Sequence, residues 1–288
     1  MRALDSIIEE LDSFPTLPDV AVEVLSRIDA PDATLEEIAD RISLDQSLAG
    51  RIIKLANSAL FGASRPAESL KPAIFRLGSR ETKLAVTAVA IMDALPEGLQ
   101  PETVRAFWIQ ALACALVGRH IARDLAYPDP DEAYLAGLVH RIGEVLLAVQ
   151  VPERFQRAIS AAKECGMPMC VALTEEFGCD HAEIGAHLLT VWNFPIPILE
   201  AVRFQFTPER AGDVGLLASI VYASDHIAAD LGLGLRDPSY EPGAWLDDIP
   251  PMLVTQMSRC QKVSLGAYIE EARASLEAVT EFAQSVFS

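Results

Sequence analysis

No stretch of this sequence is apolar for long enough to cross a bilayer. The most apolar run, Leu84 to Met92, is broken by Thr87 and falls far short of the roughly twenty residues a membrane helix needs. Positive charge is scarce: 23 Lys and Arg face 41 Asp and Glu, a net charge of −18. That balance excludes a general nucleic-acid binder, which needs a basic surface to release counterions from phosphates. Cysteine is scarce too. The five thiols (Cys114, Cys165, Cys170, Cys179 and Cys260) are odd in number and scattered, which argues for reduced thiols and against a disulfide framework. Cys165, Cys170 and Cys179 follow no usual zinc-ligand spacing and read as small packing residues. The N-terminus lacks the basic flank and apolar run of a signal peptide, so the sequence predicts a cytoplasmic protein without membrane contact. The phosphate loop, the dinucleotide-binding glycine fingerprint, the zincin motif and the nucleophile elbow are all missing. Gly232-Leu233-Gly234 is followed by no βαβ unit.

What is present is enough apolar material for a sizeable core, at 51% hydrophobic residues and a mean hydropathy of +0.24, and nearly all of it is spaced for helices. Leu4, Ile7, Ile8 and Leu11 share one helical face. Thr34 and Glu37 form a capping box ahead of Leu35, Ile38 and Ile42. Asp45 precedes a helix carrying Leu48, Ile52 and Leu55, and Ser79 precedes one running through Leu84, Val89 and Ile91. Pro101, Asp131, Pro152, Pro168, Asp180 and Pro195 stand where further helices should begin. No segment alternates as a strand, and the expected fold is all-α, with a dozen or more short helices.

Composition divides the chain into an N-terminal helical lobe over 1–95, a second helical lobe over 101–231, a surface loop over 232–251 and a helical tail over 252–288. The tail's apolar face (Tyr268, Ile269, Ala272, Leu276, Val279, Phe282) either caps the second lobe or pairs with another subunit. Charge is uneven as well: residues 51–92 carry seven basic side chains against two acidic ones. This island, with Arg51, Lys54, Arg76, Arg80 and Lys83, is either a docking surface for an acidic partner, nucleotide or phosphate, or a solvated face paired with the acidic helices around it.

The run from Leu44 to Gly62, ending in Asn57-Ser58-Ala59-Leu60-Phe61-Gly62, closely resembles the signature of the HDOD family. Phe14-Pro15-Thr16-Leu17-Pro18 upstream and Ala73-Ile74-Phe75-Arg76-Leu77-Gly78 downstream resemble its flanking motifs in the same order. Read as residues alone, Asn57, Ser58 and Gly62 suit a helix-ending turn held by side-chain hydrogen bonds. The resemblance covers about residues 10–230. It implies a two-lobed helical fold whose second lobe is a degenerate version of the metal-dependent HD and HD-GYP phosphohydrolases.

Those enzymes bind metal through an adjacent His-Asp pair, and here Gly137-Leu138-Val139-His140-Arg141-Ile142-Gly143-Glu144 carries Arg141 in place of the Asp. A guanidinium there removes a ligand and shifts local charge the wrong way for a divalent cation. The first histidine position reads Gln110, and the later double histidine reads Gln205 and Phe206. His140, His181 and Asp225 remain as vestigial positions, with Arg141 expected to pair with Asp225 or with Glu144. His120, His187 and His226 have no matching ligand partners. The resemblance implies a regulatory protein without catalytic residues or cofactor, acting through signalling proteins or a small nucleotide in a two-component or cyclic di-GMP pathway. The competing reading is a residual one-metal phosphohydrolase acting on a nucleotide or cyclic dinucleotide. A third is a nucleotide sensor that uses Arg141 without chemistry.

Overall fold

The structure, a computed structural model, describes residues 3–11, 14–58, 66–95, 98–234, 237, 239–260, 266, 268–270, 273 and 280. Gly62 and positions 59–61 of the signature lie outside these residues, as do Ala272, Leu276, Val279 and Phe282 of the tail. Among the described residues there are fourteen α-helices and no strand. None of the helices is by itself long and apolar enough to cross a membrane.

Helix starts follow local chemistry. Thr34 accepts from the Glu37 amide at the start of α3 (Leu35–Ile42), and Asp45 caps α4 (Gln46–Asn57) through the amides of Ser47 and Leu48. Pro101 opens α6 (Pro101–Asp124) and Pro152 opens α9 (Pro152–Cys165), positions where the missing amide hydrogen costs nothing. Pro168, Asp180 and Pro195 stand just ahead of α10 (Met169–Phe177), α11 (His181–Val191) and α12 (Ile196–Arg203). α7 (Pro130–Val139) begins one residue before Asp131, because Asp129 is the residue whose side chain caps it.

The chain forms two compact units, one of residues 1–14 and 97–274, the other of 15–96 and 275–288. In the second, α2 (Asp19–Ile28), α3 and α4 pack on α5 (Leu70–Ala94), whose residues from Leu84 to Met92 are buried on every side. α5 changes direction at Gly78, which has φ +73°, so a new helical arm starts at Ser79 as the sequence predicts. At the end of α4, Asn57 acts like a peptide group. Its Nδ2 donates to the Ala67 carbonyl at 2.9 Å, and its Oδ1 accepts from the Ala67 amide at 2.7 Å and from Arg76 at 2.8 Å. Ser58 Oγ donates back to the Leu55 carbonyl, and Ala56, Ala67 and Ala73 pack together beneath.

The first unit holds α6, α7, α8 (Ile142–Gln150), α9 to α12, α13 (Gly215–Asp230) and α14 (Pro251–Arg259), with α6, α7, α12 and α13 packed on one another. α1 (Ala3–Glu10) belongs here too, against α10 and α11, and not with the lobe that follows it in sequence. Nor is 232–251 only a surface loop: it contains a short 3-10 turn at Ala244–Asp247 and a buried Trp245. α8 meets α11 at Gly143, where an added Cβ would lie 2.1 Å from the His181 carbonyl oxygen and 2.6 Å from the Gly185 nitrogen.

Gly143→Ala is therefore expected to separate α8 from α11 and to lower stability by about 1–3 kcal/mol in thermal or denaturant melts; an unchanged melt would contradict that approach. In the other unit, Asn57→Ala should cost about 1–3 kcal/mol. Asn57→Asp should fail to rescue it, because a carboxylate cannot donate to the Ala67 carbonyl.

Candidate functional site: a buried ionic core

The break between α7 and α8 places His140 and Arg141 side by side at the end of one helix and the start of the next. α13 brings Asp225 to meet them, α6 brings Gln110, and all four side chains are buried. His140 has its Nδ1 2.7 Å from the Gly137 carbonyl and its Nε2 2.9 Å from Asp225 Oδ1. Both neighbours can only accept, so both ring nitrogens donate and the ring is an imidazolium. Burial works against this charge, and burial also pushes the Cys114 thiol upward and keeps it neutral. The Asp225 carboxylate overrides the burial and raises the His140 pKa above its ordinary value.

Arg141 does not choose between the two carboxylates that the sequence offers it. Its Nη2 and Nε donate to Asp225 Oδ2 and Oδ1 at 3.1 and 3.4 Å, while its Nη1 donates to Glu144 at 3.0 Å. Gln110 Nε2 adds a donor to Asp225 Oδ1 at 2.7 Å. Two cations and two anions thus balance inside the unit, as buried charges must. Burial would raise the Asp225 carboxyl, but Arg141 and His140 hold it well below the usual carboxylate range. Gln205, standing where the related enzymes carry a histidine, ties the core to α12 by donating to the His140 and Val202 carbonyls at 2.8 and 3.1 Å.

His181 shares no hydrogen bond with the other two vestigial positions. It is 1% exposed, it meets the Phe206 ring edge-on at 5.4 Å between centroids, and neither of its nitrogens has a hydrogen-bond partner among the described residues. Burial first, then the charges of Arg141 and His140, lower its pKa to about 3, so it is neutral. The three positions do not fit a divalent cation as they stand. Both nitrogens of His140 are committed, both oxygens of Asp225 receive donors, and a guanidinium occupies the carboxylate's open side. Among the described residues, no three His, Cys, Asp or Glu side chains converge as a ligand set. Cys165 is exposed, Cys170 half-buried and Cys179 buried.

In the other unit, Arg51 pairs with Asp93, Lys83 pairs with Asp29, and Arg76 bonds the Asn57 turn. Lys54 and Arg80 are exposed. Sequence reasoning misses the work of Gln110, which reads only as a poor ligand, and the largely buried Arg119–Asp131 ion pair at 2.8 Å, where Asp131 reads only as a helix start. The bare fact of a polar side chain inside an apolar helix, as in α6, was the available signal for Gln110.

The stability contributed by charged His140 is complete below its ordinary pKa and drains away as pH climbs through the raised value. The share from Asp225 is complete above the usual carboxylate range and drains as pH falls. The His140 ring is expected to remain doubly protonated at pH 8 in ring-nitrogen NMR, and Asp225→Asn to bring its titration down below the ordinary histidine value; a neutral wild-type ring at pH 7 would contradict the assignment. Arg141→Ala, which leaves two carboxylates short of a partner, should destabilise the protein by about 3–5 kcal/mol.

The HDOD domain model matches residues 14–208. A solved HDOD domain protein of unknown function from Geobacter sulfurreducens is 23% identical, with a TM-score of 0.84 over 99% of this chain and 97% of its own, which shows the shared fold. A protein from Shewanella amazonensis named "Putative phosphohydrolase" is 28% identical, with a TM-score of 0.76 over 99% and 98%. An uncharacterized protein of Treponema pallidum is 29% identical over 226 residues; the match takes in 76% of this chain but only 43% of that longer protein. With the family match extending over most of the chain, and the Asn57 turn and the His140–Arg141 pair lying inside it, this protein belongs to the HDOD domain family.

Proposed function

We propose that the protein is a non-catalytic signalling module that works by binding other proteins and needs no metal. The observation that carries this reading is the saturation of Asp225. Hydrolysis of a phosphoester by an HD-type site needs an open carboxylate and a metal-bound water, whereas this carboxylate receives donors from Arg141, His140 and Gln110. With its polar interior closed on itself, the output is docking at the surface. The partners are signalling proteins of a two-component or cyclic di-GMP pathway. The chemistry that would recruit them is the basic island of 51–92, set in a chain that is otherwise strongly acidic. Lys54 and Arg80 are exposed on this island and are the cations whose charge reversal tests the docking surface.

A residual one-metal phosphohydrolase is the second reading. It is favoured by the name of the Shewanella amazonensis relative and by the uncommitted nitrogens of His181. Elemental analysis of protein purified without chelator separates the two. The binding module predicts no stoichiometric metal and no phosphodiesterase or nucleotidase activity, with Mn²⁺ addition leaving the melting temperature unchanged. About one equivalent of Mn, Fe or Zn, lost in His140→Ala and accompanied by hydrolysis, would establish the enzyme instead. For docking, the double variant of Lys54→Glu and Arg80→Glu should abolish capture of acidic partner proteins while the melt stays unchanged; undiminished capture would remove the island as the docking surface.

A further inference from the structure

The first arm of α5, residues 70–77, is held at a fixed place in its unit. It ends at the Gly78 corner, and Arg76 ties it to the end of α4 by donating to the Ala56 carbonyl and to Asn57 Oδ1. Its inner face is closed: Leu70, Ala73 and Ile74 are buried, and Leu77 packs, partly buried, against Ala56, Ala67 and Ala73. Its outer face consists of Lys71, Pro72, Phe75 and Arg76, which are all exposed and recur at helical spacing. From 69 to 80 the chain carries three cations, Lys71, Arg76 and Arg80, and no carboxylate. Lys71 also pairs with Asp40, and both side chains are more than half exposed.

Phe75 is the odd member of this face, with 50% of its surface in solvent. Ala73 and Ile74 already close the interior beneath the arm, so the outer side of the ring contributes nothing to the packing of its own unit. Single exposed apolar side chains are common, but this one has particular company. An aromatic ring beside an arginine, on a helix that is fastened at both ends, has the composition of the side chains that carry most of the energy at protein interfaces. The surrounding charge selects the partner. Residues 51–92 are net positive within a chain of net charge −18, so an acidic protein is repelled by most of the surface and drawn to this part of it.

On the strength of the docking reading given above, we propose that Phe75 is the anchor of the docking surface and that the partner is an acidic protein segment presenting an apolar side chain between its carboxylates. The carboxylates settle on Lys71, Arg76 and Arg80, and the apolar side chain covers the Phe75 ring. Charge brings the partner to the arm and the ring retains it. Because the arm is held in place before the partner arrives, binding orders little on this side of the interface.

The test titrates the full-length protein into two fluorescein-labelled synthetic helices and reads anisotropy at low and at moderate salt. One helix is glutamate-rich with leucine along one face; the other has serine in place of each leucine. The wild-type protein is expected to bind the leucine helix about ten-fold more tightly than the serine helix, and to bind both more weakly as salt is raised. Phe75→Ala should erase that preference with the melting temperature unchanged, and Phe75→Leu should restore most of it. If Phe75→Ala does not fold, the wild-type comparison decides, and equal affinities for the two helices overturn the proposal. A leucine preference that survives in folded Phe75→Ala overturns it as well, and so does tighter binding of poly(U), whose bases would stack on the same ring. The double variant of Lys54→Glu and Arg80→Glu tells this failure from that of the docking reading. If it loses both helices while Phe75→Ala keeps the leucine preference, docking by charge stands and the anchor falls; if neither variant changes binding, both fall.

Discussion

Everything in the larger unit is arranged around one electrostatic necessity, the neutralisation of the Asp225 carboxylate inside α13. An unpaired buried carboxylate would be intolerable, and a divalent ion is one remedy. This chain uses another. A guanidinium on the facing helix break brings the positive charge with it, and because that group has two donor edges it needs a second acceptor, which Glu144 supplies one turn further on. The second positive charge, on His140, follows from the same logic: a ring lodged between a carbonyl and a carboxylate has nothing to accept from. Charge, tautomer and helix placement are therefore one problem with one solution, and removing any member strands the others.

That solution also explains which reading of function the site favours. A catalytic centre keeps some of its polar atoms underemployed so that substrate can engage them. Here Gln110, His140 and Arg141 are all turned inward on Asp225, and Gln205 spends its amide on the backbone carbonyls of His140 and Val202. The exception is His181, whose ring has no hydrogen-bond partner among the described residues and is kept neutral first by burial and then by the charges of Arg141 and His140.

The helices and their beginnings were legible in the sequence because caps and prolines act within a few residues: Thr34, Asp45, Asp180, Pro101 and Pro152 each declare a start from local chemistry. Arg141 was legible as a member of an ion pair, and its two candidate partners were both correct. What could not be read were contacts between distant segments. Gln110 meets Asp225 across 115 positions, and nothing near either residue announces the other. Residues 232–251 have the composition of a loop, and glycine, proline and aspartate give no hint that Asp230 accepts from Tyr240, Gly243 and Trp245 or that Trp245 is buried. α1 shows an apolar face, which says that it is covered but not by what, and so its place beside α10 and α11 was missed.

The amide of Asn57 has a consequence for how this unit comes apart. Its bonds tie the end of α4 to Ala67, ten positions on, and to Arg76 within α5, nineteen positions on. The end of α4 therefore cannot fray without releasing contacts of the segment that leads into α5 and of α5 itself, and the two helices open together or not at all.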